Sequence, residues 1–262
     1  MIPKIIHYVW LGKKEKPDLV KRCIASWRKF LPDYEIIEWN EDNWDITKNQ
    51  FALENYQAGK YAYTSDVIRL DVLYHQGGIY LDSDVEVFRS FDSLLAKKAF
   101  WGMMYDDSLG TAVIGAEKGN AFLGYLLKLY SGYTRTMLIE GRLSNTNNGI
   151  ISYAMLDYYP EFSFVNSKRE QLLSDGTFVF PKEYFEFPTY NKKINYSEHL
   201  FTKTWGTKSQ KKVVKMVKIL LGILLGKVFY GKIRSSRGAK RYVSHLKYEH
   251  ERDQMRKGES TK

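Results

Sequence analysis

The chain has 262 residues, long enough to bury a full core, with a net charge of +10 and 15% aromatic residues. Its single cysteine, Cys23, excludes an intramolecular disulfide and fits a reducing compartment. The charge is uneven: residues 207–262 hold 16 Lys and Arg against 4 acids, whereas residues 1–206 hold 24 against 26. Attraction to an anionic surface therefore belongs to the tail rather than the body.

Residues 2–10 have no charged head ahead of an apolar core, so they read as a buried strand and not as a secretory signal. Residues 19–30 carry Val20, Ile24 and Trp27 at helical spacing and predict a helix. Residues 34–39 predict a second strand, entered through Pro32-Asp33, and residues 41–58 are mixed and helical in parts. Residues 65–76 predict a helix with Val67, Leu70 and Tyr74 on one face and Gly77 as its C-cap. A strand over 79–87 follows, then short strands at 100–105 and 112–115. Helices are expected over 120–133 and 150–159, and a short strand over 178–180 ahead of Pro181. Strands alternating with helices argue for an α/β sheet covered by helices, and no internal repeat is present.

The most informative stretch is Gly77-Gly78-Ile79-Tyr80-Leu81-Asp82-Ser83-Asp84. On a strand, Asp82 and Asp84 share a face. Two carboxylates together in an apolar setting repel each other and are costly to desolvate. A hard divalent cation removes that cost, and such cations are often held by one or two carboxylates plus substrate phosphates. Upstream, Asp66 and Arg69 sit three apart on the predicted helix and share a face. Alone they read as an ordinary ion pair of little worth. The two-glycine turn, however, delivers that helix face beside the paired carboxylates.

Taken together, Asp66-x-x-Arg69 followed by Gly77-Gly78-x-Tyr80-x-Asp82-x-Asp84 resembles the DXD signature of glycosyltransferase family 32. The opening run Ile2 to Gly12 is also similar to that family's first strand. The family includes α-mannosyltransferases and capsular-polysaccharide transferases, and it is related to the large glucosylating toxins. The resemblance covers residues 2–95 and, more weakly, 197–205. It implies a GT-A, Rossmann-like mixed sheet flanked by helices. It also implies a nucleotide-sugar donor linked to UDP or GDP, a manganese or magnesium ion, retention of configuration, and a saccharide or lipid-linked saccharide acceptor. Residue by residue, it implies that Trp10 stacks on the base, with Tyr8 beside it. Asp66 and Arg69 contact ribose, sugar or phosphates, and Tyr80 lies at the donor sugar. Asp82 touches sugar hydroxyls and the metal, and Asp84 is the main metal ligand. His199, six residues before Trp205, is a metal ligand or an ordinary hydrogen-bonded histidine; Trp205 would close over the diphosphate. Asn147 lies in a polar stretch, 145–149, that either faces the donor or forms a turn. Tyr8 and Trp10 also have a plain core-packing reading.

The tail opens with Lys211, Lys215, Lys218 and Gly222 along one helical side of an otherwise apolar stretch. Its uninterrupted apolar run, 219–226, is too short to span a bilayer. It reads as a basic amphipathic helix lying in an anionic membrane interface, or as a packing or dimer helix. Lys232, Arg234, Arg237, Lys240 and Arg241 extend the positive charge. The expected organisation is a GT-A domain over 1–206 and a basic helical tail over 207–262. Peripheral attachment to the inner face of the membrane from the cytoplasm follows. Two other functions compete. A haloacid-dehalogenase-type phosphatase would use Asp82 as nucleophile, but its motif strand opens the fold, and here it lies well inside. A nucleic-acid-binding protein has only charge in its favour and no recognisable motif, so no nucleic-acid partner is expected.

Overall fold

The computed structural model describes residues 1–202, 226–239 and 243–259. A seven-stranded mixed sheet forms the centre, built in chain order from β1 (Ile5–Val9), β2 (Glu35–Trp39), β3 (Gly78–Leu81), β5 (Ala99–Tyr105), β6 (Ser108–Ala116), β7 (Gln171–Leu172) and β8 (Thr177–Phe180). The spatial order is β2-β1-β3-β6-β5-β8-β7. β1 pairs in parallel with both β2 and β3, while β6 runs antiparallel to β3 and β5. A second, two-stranded sheet pairs β4 (Val85–Val87) with β9 (Ser197–His199).

Helices α1 (Asp18–Phe30), α2 (Gln50–Gln57), α3 (Tyr61–Gln76), α4 (Ala121–Ser131), α5 (Arg135–Ile139) and α6 (Asn147–Tyr158) cover the sheet. Strand alternation divides the core into two layers. Ile6, Tyr8, Trp10, Ile79 and Leu81 pack with Val20, Ile24 and Trp27 of α1. Val9, Tyr80, Trp101 and Ile114 pack with α2, α3, α4 and α6 on the other side. The chain leaves β1 toward β2 by way of α1 and returns through α2 and α3 to β3, on the other flank of β1. That reversal marks a switch point, and the carboxyl ends of parallel strands beside such a point form a crevice for ligands.

Two glycines aim β3. Gly77 and Gly78 have φ of 71° and 109°, in the left-handed region that side chains disfavour. A Cβ at Gly77 would stand 2.7 Å from Lys118 N, and one at Gly78 would stand 2.7 Å from Ile5 O. The chain can thus turn from α3 straight into the sheet only with glycine at both positions.

The expected single strand over 79–87 is in fact two. β3 ends at Leu81, residues 82–84 form a turn, and β4 joins the other sheet. Val85 N donates to Asp82 O at 2.9 Å, which closes the turn. The helix expected from residue 65 begins at Tyr61, and the helix expected from 150 begins at Asn147, capped by the Thr146 side chain.

Of the tail, residues 211–225 and Trp205 lie outside the described residues, so the amphipathic reading of 211–230 rests on its last residues alone. The helices Lys227–Ala239 and Val243–Glu259 pack on the body. In the second, His245 Nδ1 bonds Asp107 O at 2.7 Å, and Glu249 Oε2 accepts from Phe164 N at 3.0 Å. Arg252 Nη1 donates to Leu156 O at 2.6 Å, satisfying a carbonyl at the end of α6. The inward face of this helix is polar, so apolar periodicity does not reveal it. Among the described residues, no helix is long and apolar enough to cross a membrane.

Candidate functional site

α3 carries Asp66 and Arg69 along the sheet face that Tyr80 occupies, and both are buried. Arg69 Nη2 lies 3.0 Å from Asp66 Oδ1, and Nη1 lies 3.3 Å from Asp82 Oδ1. Nη1 also donates to Thr111 O at 2.8 Å. Nη2 donates to Ser65 Oγ at 3.2 Å, and Nε donates to Ser65 O at 3.3 Å. Three of the Arg69 N–H groups thus donate hydrogen bonds inside the protein, and the two carboxylates add ion pairs. The guanidinium also stacks over Tyr80, 4.5 Å from the ring centroid, and the Tyr80 hydroxyl donates to Asp82 Oδ1 at 2.9 Å. Asn147 completes the group: its Nδ2 donates to Asp66 Oδ1 at 3.0 Å and its Oδ1 accepts from Tyr130 at 2.8 Å. Burial raises the Asp66 carboxyl to about 7, against the downward pull of Arg69.

The turn after β3 points Asp84 toward β9. In the β4–β9 ladder Val85 is level with His199, and His199 Nε2 lies 3.3 Å from Asp84 Oδ1. Asp84 Oδ2 accepts from both the N–H and the hydroxyl of Thr202, each at 2.8 Å. The other ring nitrogen of His199, Nδ1, bonds Glu186 Oε2 at 2.8 Å. Glu186 is almost wholly buried, at 1% exposure, and Gly110 makes room for it, since a Cβ there would stand 2.5 Å from Glu186 Oε1. Burial alone would raise the Asp84 carboxyl, but His199 and the Thr202 hydrogen bonds outweigh it and hold the group well below the usual carboxylate range. Burial alone would lower His199, but Asp84 and Glu186 outweigh it and hold the imidazole well above its ordinary value.

Asp82, Asp84 and His199 each offer one ligand atom, and these atoms lie within 4.8 Å of one another. Two carboxylates and an imidazole are a donor set that suits a divalent cation. The second nitrogen of His199 is held by a carboxylate, the usual outer support of a metal-bound histidine. The residues present therefore fit a divalent cation. Glu186 belongs to no motif, and Thr202, though within the 197–205 stretch, takes no role from the resemblance there; both reach the site through the fold.

Not every expected residue joins this group. Asp66, Arg69, Tyr80, Asp82 and Asn147 form one network, and Asp84 and His199 form the adjoining one. Tyr8 and Trp10 face the α1 layer, opposite to Tyr80. The Tyr8 hydroxyl donates to Glu38, and Trp10 is 8% exposed, with Nε1 donating to Lys14 O at 2.7 Å and Lys16 Nζ 5.8 Å over its ring. Lys14 and Lys16 thus lie against the ring to which the resemblance assigns the base. Asn147 opens α6 rather than sitting in a loop, and its amide is spent on Asp66 and Tyr130.

Residues 17–101 match the family described as the glycosyltransferase sugar-binding region containing DXD motif. Over 130 residues the chain is 34% identical to inositol phosphoceramide mannosyltransferase 3 of Schizosaccharomyces pombe, covering 47% of this chain and 35% of that protein. Over 235 residues it is 26% identical to mannosyl phosphorylinositol ceramide synthase SUR1 of Saccharomyces cerevisiae, covering 88% of this chain and 58% of that protein. The chain thus spans only part of the length of these curated relatives. Among solved structures it resembles the PaToxG glycosyltransferase, with a TM-score of 0.51 and 19% identity over 64% of this chain and 74% of that one. Residues 17–101 thus carry a likeness to the DXD-motif glycosyltransferases, and the mixed sheet has the GT-A fold.

Proposed function

We propose that the protein is a metal-dependent glycosyltransferase that moves a sugar from a UDP- or GDP-linked donor to a saccharide or lipid-linked saccharide. The observation that carries this reading is the convergence of Asp82, Asp84 and His199 within 4.8 Å, just beyond the carboxyl end of β3. Asp84, His199 and Asp82 would hold manganese or magnesium, which supplies charge neutralisation for the departing diphosphate. Asp66, Arg69, Tyr80 and Asn147 fix the position of Asp82 and form the wall against which the donor sugar lies. No covalent nucleophile is assigned: Asp82 and Asp84 serve the cation, and Asp66 is paired with Arg69 and Asn147. Retention then follows from attack on the face that the diphosphate leaves, with a phosphate oxygen taking the acceptor's proton. Against the phosphatase alternative stands the place of the motif strand, which is the third strand in chain order and does not open the fold.

The relatives are named as mannosyltransferases acting on inositol phosphoceramide, which favours mannose as the sugar and a lipid-borne acceptor. A role in surface polysaccharide synthesis, on the inner face of the membrane, fits a near-neutral body joined to a basic region over 207–262. The test is a panel of nucleotide sugars, including mannose and glucose donors, assayed for manganese-dependent hydrolysis and transfer. Turnover of at least one donor that stops on chelation supports the reading. Hydrolysis of a simple phosphate monoester, with no nucleotide sugar consumed, would replace it with the phosphatase.

A further inference from the structure

The helix Lys227–Ala239 reaches the metal-ligand cluster through one side chain. Arg234 lies over the Phe201 ring, 4.8 Å from its centroid, and also over Phe187 at 5.9 Å and Tyr230 at 6.0 Å. Phe201 in turn stacks on His199, with centroids 4.0 Å apart and planes 26° apart, and on Phe187 at 5.5 Å. The aromatic rings form a box around a cation, an arrangement that holds guanidinium well. Glu198 is buried; burial raises its carboxyl, and the charges of Lys227 and Arg234 on this helix pull it back down.

The backbone at Phe201 gives the stack its purpose. Phe201 has φ of 51°, in the left-handed region that a bulky residue rarely adopts. That reversal wraps residues 199–202 around Asp84. His199 meets Asp84 Oδ1, Leu200 N donates to Asp84 O at 3.0 Å, and Thr202 donates twice to Asp84 Oδ2. An extended Phe201 would not leave both His199 and Thr202 on one carboxylate. A strained residue persists only where its surroundings over-determine it, and here those surroundings are His199, Phe187 and Arg234.

We propose that Phe201 and Arg234 form a clamp through which the helix Lys227–Ala239 holds His199 and Thr202 on Asp84, so that this helix is part of the metal-binding site. Phe201 and Arg234 are positioning residues: neither supplies a ligand atom. The proposal rests on the metal-site reading above. It also redirects the sequence expectation for Arg234, which contributes to a basic surface in the linear chain but turns toward the protein in the fold.

The test uses the full chain and manganese alone, with free ion counted by electron paramagnetic resonance at mildly alkaline pH. Phe201→Leu and Arg234→Gln should weaken manganese binding by about tenfold, the scale for lost outer support of a metal ligand. Phe201→Tyr, which keeps the ring, should restore wild-type affinity. Arg252→Met serves as the control for general loosening, because it removes a contact of the other C-terminal helix. It should lower the unfolding temperature and leave manganese affinity unchanged. Wild-type affinity in both Phe201→Leu and Arg234→Gln would overturn the clamp, as would an equal loss in Arg252→Met. If the wild type binds no manganese, or Asp84→Asn binds it equally well, the metal-site reading itself fails, a result distinct from failure of the clamp.

Discussion

Glu186 Oε2 stands 2.8 Å from His199 Nδ1, and this contact leaves Nε2 as the histidine nitrogen that faces Asp84. With no cation present, the charged ring sits between Glu186 and Asp84, and its Nε2 proton faces Asp84. A metal must displace that proton, so binding is coupled to deprotonation.

Manganese affinity should therefore rise with pH until His199 is neutral in the free protein. Glu186→Gln removes one of the two charges that hold the proton. At the alkaline plateau the variant should bind manganese about 10–100-fold more weakly, because the imidazole loses its orienting carboxylate. Toward lower pH the gap should narrow, because His199 in the variant gives up its proton more readily. Calorimetric titration with manganese at several pH values checks both signs. Parallel curves for the two proteins would mean that Glu186 does not act on His199.

Replacing Asp84 should have a sharper effect. Asp84→Asn keeps the shape and one acceptor oxygen for Thr202 but removes the charge that His199 and the cation both need. Manganese-dependent nucleotide binding and transfer should both be lost while the fold survives. Titration with UDP and GDP, with and without manganese, decides this. Unchanged manganese-dependent affinity would remove Asp84 from the site.

The parts of this site that are legible in the sequence are local ones. The glycine pair, the apolar run before Asp82, and the three-residue spacing of Asp66 and Arg69 all lie between residues 66 and 84. Strand alternation from Ile79 to Val87 gave the correct convergence of Asp82 and Asp84 for the wrong reason, since a turn rather than a strand joins them. What stayed hidden depends on the fold. Thr202 meets Asp84 across 118 positions, and Glu186 sits in a stretch with no pattern of its own. The strand that holds Tyr8 and ends beside Trp10 is recognisable, but only the fold shows that these two rings face α1 while Tyr80 faces α3. The two C-terminal helices dock through charged and aromatic contacts, which apolar periodicity does not register.

The position of Arg69 changes what its removal should do. A residue reaching out to phosphates would, when truncated, weaken nucleotide binding and little else. Here the guanidinium donates three hydrogen bonds to Ser65 and Thr111 and is paired with two carboxylates that depend on it. Arg69→Ala should strand Asp66 and Asp82 and cost about 3–5 kcal/mol of stability, the range for breaking a buried ion pair from one side. Adding Asp66→Asn to Arg69→Ala should recover part of that loss, because one of the stranded charges is gone. Urea unfolding of the single and double variants measures it. A stable Arg69→Ala protein with weakened nucleotide binding would restore the direct donor-binding role.

His7 supplies a test of stability against pH that lies apart from the metal ligands. It is fully buried in β1; its Nε2 bonds Gly77 O at 2.8 Å, and its Nδ1 accepts from Trp39 Nε1 at 3.0 Å. That pair of partners fixes the neutral ring with its proton on Nε2, and a second proton at Nδ1 would break the Trp39 bond. Burial, opposed only by the Gly77 hydrogen bond, lowers the group from 6.5 to about 4. Above pH 6.5 the ring is neutral in both folded and unfolded chains, and its contribution is present in full. Between 6.5 and about 4 the unfolded chain takes up a proton that the folded one refuses, so stability falls by up to about 3 kcal/mol. Below that the loss levels off. His7→Gln can keep both hydrogen bonds and cannot titrate, so its stability should fall less over this interval. The measurement is the difference between wild type and variant in urea midpoint from pH 7 down to pH 4, which cancels the groups the two share. A constant difference across that range would show that His7 does not remain neutral in the folded protein.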